Sequence, residues 1–214
     1  DTAQIFFIYG DSPIATTYVP DDNFEQALID LGYDDVLDDY VVTDSINSVT
    51  YLNVYNDSIS DLTGIEAFTA LDTLVCGFNQ LTELDVSNNT ALTQMSIGGN
   101  QLTSLDVSSN TALTYLDCHL NQITSLDLSS NTALTSLSCR HNALTELDVS
   151  SNTALTLLNG YGNQLTSLDL SNNTALTYLT CNNNQLTYLN MRNGVTDALT
   201  TFNATNNDSL ECIE

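Results

Sequence analysis

The 214-residue sequence predicts a mainly β repeat solenoid, a right-handed coil with a strand on each side of every repeat and an α-helical cap at its N-terminal end. Three observations carry this prediction: a fixed repeat length, two apolar half-patterns in each repeat, and asparagines that recur at matching places. One repeat cannot bury its apolar face alone, so the repeats are expected to stack.

The repeat length is 21 residues over five consecutive copies, which begin at Leu71, Leu92, Leu113, Leu134 and Leu155. A sixth copy begins at Leu176 and carries two extra residues around Gly194, and a partial seventh begins at Leu199. A divergent copy of 22 residues covers 49–70. The array therefore spans residues 49–214 as about eight coils, the last one partial.

Each repeat contains the pattern LxxLxLxxN twice. The alternation of apolar residues, as at Leu116 and Cys118 and again at Leu126 and Leu128, places their side chains on one face of a short strand. Each pattern ends on an asparagine, whose amide can satisfy both the N–H and the C=O groups of a buried turn. The two asparagine columns are Asn79, Asn100, Asn121, Asn142, Asn163, Asn184, Asn207 and Asn89, Asn110, Asn131, Asn152, Asn173.

The extended pattern LxxLxLxxNxL resembles the leucine-rich-repeat signature. The nested 21-residue form resembles a subclass common in bacterial surface and secreted proteins, and the segment Gly64–Phe68 (GIEAF) resembles internalin-type repeats. This resemblance implies the fold of the array. It implies no particular ligand, because such folds host many unrelated functions.

Residues 20–48 are expected to cap the first coil. A helix is predicted from Asp21 to Leu31, started by Asp21 or Asp22 and ended by Gly32, with its apolar face on the coil that begins at Val49. The acidic segment 34–40 is interpreted as a solvated turn. Residues 1–19 match no repeat and are either an added strand on the cap or a disordered tail. The chain stops in mid-repeat at Glu214. Either the natural protein continues beyond this residue, or contacts between copies cap the partial coil, and we expect the first.

The charge is strongly acidic, with 27 Asp and Glu against 2 Lys and Arg and a formal net charge of −25. Nucleic acid and anionic membranes are therefore excluded as partners, since both require basic patches. No stretch reaches the roughly 18 apolar residues of a membrane span. The chain begins at Asp1 without Met, as expected if an export signal has been removed. We expect a monomeric protein that is secreted or at the cell surface.

Four cysteines share one repeat position, which Val54, Ile97, Gly160 and Ala204 fill in the other coils: Cys76, Cys118, Cys139 and Cys181. Their apolar or small counterparts predict buried, reduced thiols. A bridge between Cys118 and Cys139 in adjacent coils is the alternative. The only histidines, His119 and His141, accompany no patterned nucleophile, zinc cluster or phosphate loop. The sequence therefore predicts a protein that is not an enzyme and has no required cofactor.

The outward residues of the two half-patterns behave differently. In the second half they barely change between repeats, which is typical of a structural side: Asp85, Asp106, Asp127, Asp148, Asp169 and Ser87, Ser108, Ser129, Ser150, Ser171. In the first half they vary and are rich in Tyr, which is favoured at binding hot spots. The candidate ligand-binding residues are Tyr115, Asp117, His119, Arg140, His141, Tyr161 and Tyr178. We expect Arg140 to pair with Asp117 or with a ligand, and the glycines beside Tyr161 to open a notch.

These patterns favour a non-catalytic binding or adhesion module for a protein or polysaccharide, which binds on the first strands, the concave face in leucine-rich-repeat proteins. Drift on an unconstrained surface is the competing explanation of the variable columns. The alternative function is a calcium-binding scaffold, with Ca²⁺ held between the stacked carboxylates of Asp85, Asp106, Asp127, Asp148 and Asp169. Ice binding by the threonine column Thr103, Thr124, Thr145 and Thr166 is a remote alternative that the acidic ladder opposes.

Overall fold

The computed structural model describes residues 14–213, which form an N-terminal cap followed by a parallel β-solenoid. The cap contains β1 (Thr16–Tyr18), α1 (Asp22–Asp30), β2 (Tyr40–Val42) and α2 (Thr43–Ile46). The solenoid strands are β3 (Tyr51–Asn53), β4 (Thr73–Val75), β5 (Gln94–Ser96), β6 (Tyr115–Asp117), β7 (Ser136–Ser138), β8 (Leu157–Asn159), β9 (Ser167–Asp169), β10 (Tyr178–Thr180), β11 (Tyr188–Asn190), β12 (Thr201–Asn203) and β13 (Cys212–Ile213). Two 3-10 helices cover Ile65–Ala67 and Thr196–Ala198.

The first half-pattern of every coil forms one strand of an eight-stranded parallel sheet, in the order β3-β4-β5-β6-β7-β8-β10-β12. The repeat register predicted from the sequence is confirmed, because equivalent residues such as Tyr115 and Ser136 pair directly. The second half-pattern was expected to form a strand in every coil, and this was wrong. Only β9, β11 and β13 form a second sheet. In the earlier coils the equivalent residues are not in strands, although the N–H of Ser87 or Ser108 bonds the preceding Asp side chain just as Ser171 N–H does after β9.

The core is a set of apolar columns that run along the solenoid axis. The central residue of each strand from β3 to β8, and that of β10, is fully buried, as Leu52, Met95 and Leu179 illustrate. Each such side chain contributes about 1.5–3 kcal/mol on burial. In β12 the equivalent Phe202 is 45% exposed, because no further coil packs on it within the described part of the chain.

Both asparagine columns form the predicted ladders, but they bond differently. In the first column Asn121 accepts from Leu102 N–H at 3.0 Å and donates to the carbonyls of Ile97 and Cys118. In the second column Asn110 donates to two carbonyls at 3.0 Å, while its Oδ1 is buried and has no partner among the described residues. The prediction that each amide serves both kinds of backbone group is therefore right for the first column only.

The helix α1 caps the first coil through Asp21, which lies immediately before it. One oxygen of Asp21 accepts from the N–H groups of Asn23 and Phe24 and starts the helix. The other accepts from Ser60 N–H, Ser60 Oγ and Asp61 N–H, in the first coil. Burial raises the pKa of Asp21, but these hydrogen bonds outweigh it and hold the pKa below 3.8. One side chain thus joins the cap to the solenoid.

The rest of the cap follows the sequence analysis in part. Phe24 and Leu28 are fully buried, whereas Leu31 is 45% exposed because it already lies beyond the last helical turn. The buried Glu25 accepts from Asp38 N–H and Tyr40 N–H and so fixes the exposed acidic turn. Of the 1–19 segment, 16–18 forms a strand antiparallel to β2, and 1–13 lies outside the described residues.

Cys76, Cys118, Cys139 and Cys181 are buried free thiols, as their shared repeat position predicted. Burial raises the pKa of the Cys76 and Cys139 thiols to about 12. At neutral pH such thiols are protonated and unreactive, because the thiolate is the nucleophile. These residues therefore act as small apolar core groups.

Candidate functional site

The first-strand face is the outward surface of the eight-stranded sheet together with the three residues that follow each strand. The parallel ladder continues into those residues, since Leu120 N–H donates to Arg140 O and His141 N–H donates to Tyr161 O. All seven predicted ligand-binding residues lie on this face, and each is at least partly exposed: Tyr115, Asp117, His119, Arg140, His141, Tyr161 and Tyr178.

The predicted residues fall into two local groups. In the first, Nδ1 of His119 lies 2.7 Å from Oδ1 of Asp117, which also accepts the backbone N–H of His119. Both side chains are mostly covered, at 12% and 17% exposure. Burial and then the Asp117 charge raise the pKa of the neighbouring Tyr115. This group presents an exposed tyrosine and, two residues beyond the strand, a histidine fixed by a carboxylate.

The second group lies in the following coils. The rings of His141 and Tyr161 meet edge to face with centroids 4.5 Å apart, and Tyr161 Oη accepts from Asn183 Nδ2 at 3.3 Å. The His141 ring lies over Gly162, where an added Cβ would be 2.9 Å from Nδ1. Tyr178 lies three coils from Tyr115, a distance of about 14 Å along the sheet, so these two side chains do not contact each other.

Two expectations for this face are corrected. Asp117 is engaged by His119 of its own coil, and within residues 14–213 no ion pair joins it to Arg140. The glycines beside Tyr161 open no notch, because Gly160 N–H donates to Thr180 O and Gly162 N–H donates to Asn182 O. These ladder bonds hold the backbone in register, so the face is continuous at this point.

An aromatic cluster that the sequence analysis did not select lies nearer the N-terminal end of the same face. It consists of Tyr55, Phe78 and His119, with ring centroids 5.4 Å apart for the first pair and 5.9 Å for the second. The rings lie over Gly77, Gly98 and Gly99, where any added Cβ would contact them. Phe78 could have been found from its repeat position, which is Gly or Asn in most other coils.

That repeat position has a left-handed backbone in every coil, with φ between 51° and 72°: Asn56, Phe78, Gly99, Leu120, His141, Gly162, Asn183 and Asn206. Gly adopts this conformation freely and Asn tolerates it, but a bulky side chain is strained there. Phe78 and Leu120 nevertheless occupy it, and both are more than 40% exposed. These two side chains gain little from burial to offset their strain.

The opposite side, called here the Asp/Ser face, contains the repeated columns of Asp and Ser. Each Asp accepts the backbone N–H of the Ser two residues later at 2.9 Å: Asp85, Asp106, Asp127, Asp148 and Asp169. Hydrogen bonds from that Ser lower the pKa of every one of these carboxyls, even where neighbouring Asp charges oppose it. The column therefore stabilises its own turns.

A groove of about 630 Å³ runs along the Asp/Ser face, and Asp127, Asp148 and Asp169 contribute to its lining. Across residues 14–213, no three His, Cys, Asp or Glu side chains converge closely enough to hold a metal ion. In the same range, no helix has the length and apolar character needed to cross a membrane.

Comparison with known proteins agrees with the architecture. No protein-family model matches the chain. A 73-residue part, 34% of the chain, is 41% identical to Internalin J of Listeria monocytogenes serotype 4b (strain F2365) and covers 8% of that protein. Among solved structures, a leucine-rich-repeat protein of Leptospira interrogans matches 76% of the chain and 44% of its own at a TM-score of 0.68 and 22% identity. The structure of internalin C2 of Listeria monocytogenes matches 91% of this chain and 99% of its own chain, with a TM-score of 0.65 and 21% sequence identity.

The stacked parallel strands, the asparagine ladders and these structural matches define the class: the chain is a leucine-rich-repeat protein. Over 73 residues the sequence is also similar to that of Internalin J, and the chain spans 8% of the length of that protein.

Proposed function

We propose that this chain is a non-catalytic binding module of the cell exterior, which holds a protein or polysaccharide ligand on its first-strand face. The observation that carries the proposal is the contrast between the two faces. On the Asp/Ser face the same carboxylate bonds the same serine in coil after coil. On the first-strand face the side chains change from coil to coil, as expected where a ligand and not the fold selects them.

Arg140 is central to this proposal. It is one of two basic residues in a chain of formal charge −25, and it is partly exposed between the His119 and His141 groups. Within the described residues its guanidinium has no ion pair. A guanidinium offers a planar fork of donors that suits a carboxylate or sulfate of a ligand. Tyr161, in the next coil, supplies an aromatic surface beside it.

The test begins with a glycan and protein array probed with the intact chain, followed by calorimetry on the ligand found. Arg140→Ala and Tyr161→Ala are each expected to weaken binding by about 2 kcal/mol or more, the range of hot-spot residues. Arg140→Ala should change the thermal midpoint little, whereas Tyr161→Ala also removes the ring contact with His141 and the hydrogen bond from Asn183 and should lower it slightly. Asp127→Ala and Ser129→Ala are the controls on the other face. If Asp127→Ala weakens binding and the first two changes do not, the ligand binds on the Asp/Ser face and the proposal is wrong.

A further inference from the structure

The exposed aromatic and apolar side chains of the first-strand face gather at its N-terminal end. Tyr51 and Tyr55 are both more than half exposed, and Phe78 and Leu120 are more than 40% exposed. The rings of Tyr55 and Phe78 are in contact, and a group of exposed apolar side chains on one face of a soluble protein usually marks a binding site. Within this surface, Tyr55 and Phe78 are at least four coils away from Tyr161.

Backbone conformation separates these side chains from ordinary surface residues. Phe78 has φ 55° and Leu120 has φ 51°, at a position where Gly and Asn fit without strain. Neither residue is buried enough to explain its presence by packing. Strain that is retained on an exposed side chain is characteristic of a residue kept for a contact outside its own fold.

An acidic groove adjoins the aromatic cluster. It has a volume of about 260 Å³ between α1 and the first coil, and Asp30, Asn53 and Asp57 are in its lining, which contains no basic residue. Asn53 and Asp57 of this lining flank Tyr55 in the sequence, and Asn53 Oδ1 accepts the backbone N–H of Tyr55, so the groove adjoins the backbone that carries the tyrosine. Burial and then the negative charge of Asp30 raise the pKa of Asp57, which lines the same groove.

We infer that the aromatic cluster and this acidic groove together dock a basic segment of a partner protein. A Lys or Arg side chain of the partner extends between Asp30 and Asp57, and its neighbours pack on the rings of Tyr55 and Phe78. Charge complementarity favours this occupant, since the whole chain carries −25 and steers cationic partners toward it. A guanidinium or ammonium also gains from the face of an aromatic ring, whereas an acidic polysaccharide would be repelled. The inference rests on the proposed function and gives it a location and a partner class.

The experiment selects binders from a display library of random peptides against the intact chain, followed by affinity measurements on the selected peptides. Peptides rich in Lys or Arg are expected. Tyr55→Ala should weaken them about thirtyfold, the loss typical of a hot-spot residue. Asp57→Asn should weaken them about tenfold, whereas Asp127→Asn, which changes the total charge equally, should leave them unchanged. Phe78→Asn should weaken binding while leaving the thermal midpoint equal to that of the wild type or higher, since Asn tolerates the left-handed backbone.

The other outcomes are distinguishable. Peptides that depend on Arg140 and Tyr161 but not on Tyr55 or Asp57 would leave the proposed function standing and overturn this inference. An equal loss of peptide affinity in Asp57→Asn and Asp127→Asn would indicate binding by overall charge, and it would also overturn this inference. Failure to select any basic peptide above background, or a lower thermal midpoint in Phe78→Asn, would also count against it.

Discussion

The ring of Phe78 lies over Gly99 of the next coil, so closely that a Cβ on Gly99 would be 2.9 Å from Cγ of the ring. Gly99 also has φ +72°, a conformation that side chains other than Gly and Asn rarely adopt. The glycine and the exposed aromatic residue are therefore a matched pair across two coils, and of the two only Phe78 departs from the Gly or Asn that is common at this repeat position.

Gly99→Ala is expected to destabilise the protein by about 1–2 kcal/mol, because the alanine must occupy a left-handed backbone and displace the Phe78 ring. Chemical denaturation of the wild type and the variant measures the change. In a Phe78→Asn background the same substitution should cost less, because the ring is gone and only the backbone strain remains. Equal costs in the two backgrounds would mean that the ring does not lie over Gly99.

Gly160→Ala is expected to stabilise the protein, in contrast to Gly99→Ala. Gly160 is buried, its φ is not left-handed, and an added Cβ would meet only Leu165 and Thr180 at 3.8 Å. The alanine loses less backbone entropy on folding, so the variant should be more stable by about 0.4–1 kcal/mol. Thermal unfolding measures the gain. Gly162→Ala is the control: with φ +69° and the His141 ring 2.9 Å from the added Cβ, it should destabilise.

The sequence was sufficient for the parallel solenoid, its register and its helical cap, because 21-residue periodicity allows few other ways to bury Leu116 and its equivalents. It was not sufficient for the second sheet, because the Asp and Ser columns and their hydrogen bond are the same in a coil without a second strand (Asp106, Ser108) and in one with it (Asp169, Ser171). The pairing of Asp117 with His119 was missed for a related reason. Side-chain rotamers decide it, and periodicity carries no information about them.

The two asparagine ladders are expected to differ in their contribution to stability. Asn121→Ala removes the partner of one N–H and two or more carbonyls, whereas Asn110→Ala removes the partners of two carbonyls. Each buried backbone group left unsatisfied costs about 1–3 kcal/mol. The loss in unfolding free energy should therefore be larger for Asn121→Ala by about 1 kcal/mol or more. Urea denaturation of both variants gives the comparison, and a larger loss for Asn110→Ala would contradict it.

The four core thiols are expected to resist modification in the native protein. Cys76 is fully buried and its pKa is raised to about 12, so almost no thiolate exists at pH 8 and no reagent can reach the sulfur. Labelling with a maleimide, followed by mass spectrometry of the peptides, should find Cys76, Cys118, Cys139 and Cys181 unmodified in native protein and modified after denaturation. A disulfide between Cys118 and Cys139 in the isolated protein would contradict this prediction.

Asp21 is expected to couple the stability of the cap to pH. Because its pKa in the folded protein is lower than 3.8, its stabilising effect is fully present above that pH and is lost as the pH falls through the folded-state pKa. Asp21→Ala should cost about 1–2 kcal/mol at pH 7 from the lost helix cap alone. Asp21→Asn keeps a capping oxygen for Asn23 and Phe24 but loses the charged bonds to Ser60, so it should cost less.

The difference in unfolding free energy between the wild type and Asp21→Asn isolates this one carboxyl, since every other titrating group is common to both proteins. We expect that difference to be constant from pH 7 to about pH 5 and to narrow below 3.8, where the wild-type carboxyl becomes protonated and resembles the neutral amide. Asp44→Asn, a change at an exposed residue of α2, serves as the matched control for altered net charge. A difference that stays constant down to pH 2 would show that the Asp21 charge does not join the cap to the first coil.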